Sequence, residues 1–111
     1  MFEAKNGRIK ITKGDSGSLR VCLETANGNT YEMKDGDTLT LTVKRKPGAE
    51  KLLEIVSTNN ILKFNPSDTK NLDIGVYCFD IELKTSDDVF TVVGPDEDLL
   101  TNMTVLPEIT E

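Results

Sequence analysis

The chain of 111 residues has no histidine and no tryptophan, and it holds only two cysteines, two tyrosines and four phenylalanines. Without histidine, the serine–histidine triads and imidazole metal sites that serve much of hydrolytic chemistry are excluded. Two cysteines are too few for the disulfide-dense frameworks of small secreted domains. Scarce aromatics leave little for the exposed ring platforms on which sugars are usually bound. No apolar run approaches the roughly 20 residues of a membrane span or the apolar region of a signal peptide, so a soluble product of the cytoplasm is expected. Basic residues are in the minority, 13 against 19 acidic, and the net charge of -6 repels phosphate backbones and anionic lipid surfaces. Neither nucleic acid nor a membrane is an expected partner. The length fits one domain spanning residues 1–111.

What the sequence does contain is alternation with period two, interrupted by turn residues. Ile9 and Ile11, then Leu19, Val21 and Leu23, then Leu39, Leu41 and Val43 alternate with polar neighbours, as half-buried strands require. Turn signals fall at Lys13-Gly14-Asp15-Ser16-Gly17, Asn27-Gly28, Asp35-Gly36, Pro47-Gly48, Asn59-Asn60, Asp87-Asp88 and Gly94-Pro95. Strands are expected at 8–13, 18–25, 30–33, 38–45, 51–57, 60–65, 75–85, 88–93 and 101–106. One short helical turn is expected after Asn65, where Pro66 presets φ and Ser67 and Asp68 suit a first turn. The fold class is all-β, an antiparallel two-sheet β-sandwich of about seven to nine strands, with a small barrel as the alternative.

Parity then assigns faces. If Tyr77, Phe79, Ile81 and Leu83 point to the core, Val76, Cys78, Asp80 and Glu82 point away from it. Cys22 likewise falls with Arg20 and Glu24, opposite Leu19, Val21 and Leu23. In immunoglobulin domains the bridging cysteine follows the corner tyrosine by two residues, and Phe79 holds that place here. Both thiols are therefore expected to be free. Asp73, Gly75, Tyr77 and Phe79 form a candidate tyrosine corner, in which the phenol hydroxyl bonds backbone a few residues upstream while the ring enters the core. This is structural chemistry, and an ordinary core tyrosine behind a glycine turn has the same spacing.

The remaining clusters point to no reaction. Asp96-Glu97-Asp98, Asp87-Asp88, and Asp35 with Asp37 could offer oxygens to calcium, which takes about six to eight, but none has a calcium-loop spacing. They read as solvated loop charge, and no metal or other cofactor is expected. Lys44-Arg45-Lys46 reads as a basic run that discourages edge-to-edge pairing rather than as a phosphate contact. Ser16 in Gly14-Asp15-Ser16-Gly17 lacks the glycine offsets of a nucleophile elbow, and the chain lacks the histidine. No catalytic or cofactor-binding residue is assigned, and an enzyme is the weakest of the function classes.

Several stretches carry a family resemblance in order along nearly the whole chain: Lys13-Gly14-Asp15-Ser16-Gly17; Asp35-Gly36-Asp37-Thr38-Leu39-Thr40-Leu41-Thr42-Val43; Pro66-Ser67-Asp68-Thr69 with Leu72, Gly75 and Tyr77; Phe79-Asp80-Ile81-Glu82-Leu83; and Val105-Leu106-Pro107-Glu108-Ile109-Thr110. Together they resemble small bacteriophage and prophage structural proteins. In particular the chain is similar to the immunoglobulin-like N-terminal domain of the baseplate upper proteins of tailed phages that infect Gram-positive bacteria. The resemblance implies an immunoglobulin-like sandwich and a non-catalytic assembly module. It would be made in the bacterial cytoplasm, be carried in the phage particle, and dock to other tail or baseplate proteins or to copies of itself. It supplies no catalytic residues, and the partner-binding residues stay open. The long receptor-binding region that follows the domain in that family has no counterpart up to Glu111, and Gly94–Leu100 is a longer, more acidic connection than a hairpin needs. The rival reading is a carbohydrate- or cell-surface-binding adhesion sandwich.

Overall fold

In the computed structural model, residues 1–5, 7–25, 27–93 and 101–108 are described. The fold is all-β. The strands are β1 (Phe2–Lys5), β2 (Arg8–Thr12), β3 (Gly17–Arg20), β4 (Thr38–Lys44), β5 (Lys51–Ser57), β6 (Ile61–Phe64), β7 (Gly75–Lys84), β8 (Val89–Val93) and β9 (Asn102–Leu106), with a single helix, α1 (Pro66–Lys70), among the described residues. One sheet runs β1-β2-β9-β7-β4-β5, and β8 adds to it as a second partner of β7. β3 and β6 make a separate two-stranded sheet.

Alternation builds both faces. Along β4, Leu39, Leu41 and Val43 are buried between half-buried Thr38, Thr40, Thr42 and Lys44, and along β7, Tyr77, Phe79, Ile81 and Leu83 are buried. The register places Leu41 opposite Ile81 and Val43 opposite Phe79, so the apolar rows of the two strands coincide. They join Ile9 and Ile11 of β2, Met103 and Val105 of β9, and Leu62 and Phe64 of β6 in one hydrophobic cluster drawn from both sheets.

Three expectations from the sequence are corrected. The large sheet is mixed rather than purely antiparallel, because β2 and β9 run parallel, with Ile9 beside Met103 and Ile11 beside Val105. Residues 30–33 are not a strand. Thr30 makes one isolated bridge to Glu24, and the Tyr31 N–H donates to the Leu23 carbonyl at 2.9 Å. β3 correspondingly ends at Arg20, although Val21 and Leu23 continue inward and the Val21 N–H donates to the Asn60 carbonyl at 2.8 Å. Alternation sets which way side chains point, and only a partner's backbone makes a ladder.

β1 was not expected, since Phe2-Glu3-Ala4-Lys5 has one large apolar residue. Its place is explained by Phe2, whose ring lies 5.4 Å from that of Phe64. It packs directly over Gly17, where an added Cβ would lie 2.3 Å from Phe2 ring carbons. A glycine at the start of β3 thus lets the first strand cover the end of the core.

Helix α1 forms where the sequence places it. Pro66 occupies its first turn, and the Asn65 N–H donates to the Asp68 carboxylate at 2.6 Å. Thr69 is fully buried, and its hydroxyl accepts the Gly14 N–H at 2.8 Å, tying the helix to the Lys13–Gly17 turn.

Candidate functional site

The residues singled out at the head of β7 converge on one corner. The Tyr77 hydroxyl donates to the Asp73 carbonyl at 2.6 Å, four residues upstream, while the ring is buried. Gly75 has φ +150°, a conformation that L side chains rarely adopt, and the Arg45 guanidinium lies 3.3 Å from where its Cβ would be. That guanidinium stands 4.8 Å from the Tyr77 ring centroid, a cation–π contact. The basic run Lys44-Arg45-Lys46 therefore does something other than guard an edge. β4 lies between β7 and β5, and Arg45 caps the corner. Phe79, two residues on, is in the core, and its carbonyl accepts the hydroxyl of buried Thr101.

Both cysteines are free. Cys22 is exposed next to the small sheet, and Cys78 lies half-buried on the outer side of the large one, its Sγ 3.5 Å from the Lys44 carbonyl.

The acidic clusters separate into distinct roles. Asp37 is buried, accepting the Tyr31 hydroxyl at 2.6 Å and the Lys34 N–H at 3.0 Å. The Tyr31 hydroxyl first, and then the Lys34 N–H, hold its carboxyl below the ordinary value of 3.8 against the opposing effect of burial. The same hydrogen bond, with burial and the carboxylate's charge, raises Tyr31 above 10.0. Asp37 is thus a fastening for the segment before β4, a role the sequence signalled only by its place in an Asp-Gly-Asp turn. Asp87 and Asp88 sit in the β7–β8 turn, where the Thr85 hydroxyl accepts the Asp88 N–H at 3.1 Å. Asp96-Glu97-Asp98 lie outside the described residues. Among the described residues no group of three or more metal-ligating side chains gathers. Among the described residues no helix is long and apolar enough to cross a membrane.

The described surface also has exposed sheet edges and grooves. β5 ends the large sheet on one side and exposes Leu52 and Val56, but it also carries Lys51 and Glu54, paired at 3.0 Å. β8 pairs with β7 over Ile81–Lys84, with a register shift between Ile81 and Glu82. Beside it lies a groove of about 630 Å³, whose lining combines Leu23, Leu83, Phe90 and Val92 with Glu24 and Thr85. Phe90 is 50% exposed there, the most open aromatic ring among the described residues. The sequence reading placed a strand at 88–93 without marking it as an edge. Val89-Phe90-Thr91-Val92-Val93, five residues without a charge, reads equally as a buried strand, so the sequence alone does not mark the edge.

Compared with known proteins, the chain matches no family model and no curated relative.

Proposed function

We propose that this chain is a non-catalytic structural protein of a phage or prophage particle, a tail or baseplate assembly module built as an immunoglobulin-like sandwich. The strand order supports the finer fold. β3 and β6 take the places of strands B and E, β4, β7 and β9 those of C, F and G, and β5 extends the second sheet beyond C. The Tyr77–Asp73 bond lies at the β6–β7 connection, where that fold has its tyrosine corner.

The observation that carries the functional reading is the division of labour among the residues of the phage resemblance. Gly14 turns the chain with φ +86°, Asp37 and Thr69 are buried fastenings, and Leu72, Tyr77, Phe79, Ile81, Leu83 and Val105 are core. These residues specify a scaffold. Sheet edges and end loops are left for contacts, and they can differ between proteins without disturbing the core. The activity proposed is docking, the role that the resemblance implies.

The test is light scattering of the purified protein, alone and mixed with tail proteins encoded by neighbouring genes. Defined complexes that persist as salt is raised are expected, because backbone pairing and apolar contact are screened less than surface charge. A protein that binds none of them and instead retains a defined oligosaccharide on a glycan array would overturn the reading in favour of an adhesion module.

A further inference from the structure

β8 differs in charge from every other described strand that lies at the end of a sheet. β1 carries Glu3 and Lys5, β5 carries Lys51 and Glu54, β3 carries Arg20 and β6 carries Lys63, whereas β8 carries none. Charged side chains on an edge oppose pairing with another chain, and an uncharged β-branched edge invites it. Among the described residues β8 is hydrogen-bonded to β7 alone, and no described strand pairs with its opposite side. Val89 and Phe90 are 59% and 50% exposed, and Phe90 borders the groove that Leu23, Leu83 and Val92 also line.

We propose that β8 is a self-association edge, at which β8 of a second copy pairs antiparallel about a two-fold axis and joins the two large sheets into one. Geometry restricts the register, and the pairs it makes select the centre. A two-fold axis perpendicular to the sheet keeps every side chain on its own face, so opposed residues must have the same parity. Centring the pair on Thr91 sets Thr91 opposite its own copy and Phe90 opposite Val92 on both sides. Threonine pairs and aromatic–β-branched pairs are among the stabilising cross-strand combinations, and no charge meets a like charge within the strand. Phe90 of the copy arrives beside Val92, at the groove lined by Leu23 and Leu83, and covers apolar surface that one chain leaves open. Two bodies of charge -6 repel at long range, so the pairing strengthens as salt rises. The inference names a surface and a partner for the assembly reading, and it rests on that reading only for the statement that pairing serves a particle.

Sedimentation equilibrium of the full chain tests it, with Thr91→Lys and Phe90→Lys on β8 and Val56→Lys on β5 as the control edge. The wild type is expected to dimerise, the β8 variants to weaken the dimer about tenfold or more, and Val56→Lys to leave it unchanged. Thr91→Cys in a Cys22→Ser, Cys78→Ser background provides a measurement that does not depend on the lysine variants folding. Opposed Cα atoms of an antiparallel pair are about 4.5–5.5 Å apart, within disulfide reach, so mild oxidation is expected to give a covalent dimer faster than for Val56→Cys in the same background. A wild type that stays monomeric, a dimer weakened by Val56→Lys but not by the β8 variants, or equal cross-linking at both edges would overturn the proposal. A monomer that still binds tail proteins sinks the β8 pairing alone. A β8 dimer that binds none of them sinks the particle role alone.

Discussion

On one side β7 pairs with β4 from Cys78 to Lys84, while on the other its partner changes, from β9 over Gly75–Cys78 to β8 over Ile81–Lys84. Behind β9 the sheet continues to β2 and β1, and Phe2 folds onto Gly17 and Phe64. At that end Tyr77 is bonded to Asp73, Thr69 holds the Lys13–Gly17 turn, and the Thr101 hydroxyl meets the Phe79 carbonyl. Behind β8 the described residues place no strand, and apolar side chains remain half in water. One strand thus has a closed half that spends its residues on the fold and an open half with apolar surface to spare. On the proposed β8 pairing, stability and association can be changed independently.

The comparison breaks first, and with the largest effect, at Phe79. Phe79→Ala empties a core site opposite Val43 and is expected to cost about 3–5 kcal/mol in denaturant unfolding, since the lost burial adds to the cavity left behind. A nearly neutral result would put Phe79 outside the core and β7 out of register. Gly17→Ala comes next, at about 1–3 kcal/mol, because its Cβ would displace the Phe2 ring and uncover the end of the core. Phe2→Ala in the same background would then cost much less than in the wild type, as the double-mutant cycle should show. Tyr77→Phe removes one hydrogen bond and keeps the ring, for about 1 kcal/mol. All three should leave the association measured for the folded protein unchanged.

The smallest effect sharpens the comparison on the open side, where Tyr31 lines the groove and holds Asp37. Asp37 has the lower pKa in the folded state, so its ionised form stabilises the fold above the ordinary 3.8, and that contribution is lost as pH falls toward the depressed folded value. Tyr31 has the higher pKa in the folded state, so its contribution is complete below 10.0 and is lost as pH rises beyond it. The stability gap between wild type and Tyr31→Phe should therefore be widest near neutrality and narrow at both extremes, as thermal melts across the pH range would show. A gap independent of pH would mean that the Tyr31–Asp37 bond does not persist in solution.

Legibility did not follow the division between the two halves. Alternation and turn residues located eight of the nine described strands, and the spacing of Asp73, Gly75, Tyr77 and Phe79 announced the corner, because these signals are local and repeat with the backbone's own period. What escaped was set by contacts between distant segments. β1 is held by the fit of Phe2 over Gly17 rather than by its own pattern, and the parallel β2–β9 pairing has no local mark at all. Residues 30–33 alternate like a strand and yet find only one bridge. Arg45 looked like part of an edge guard because its strand's neighbours were unknown, and Asp37 looked like loop charge because its tyrosine partner lies six residues away. Which strands lie at edges is a property of sheet order, so β8 could be read as a strand from sequence but not as a surface.

The most direct test of the division between the two halves is amide hydrogen exchange along β7, β8 and β9, followed as protein concentration is raised. Slow exchange at Tyr77 and Phe79 that does not depend on concentration is predicted, together with protection of the β8 amides that point away from β7, appearing only as copies associate. Protection of β8 that is complete in dilute monomer, or exchange there that stays fast in any associated state, would contradict the account.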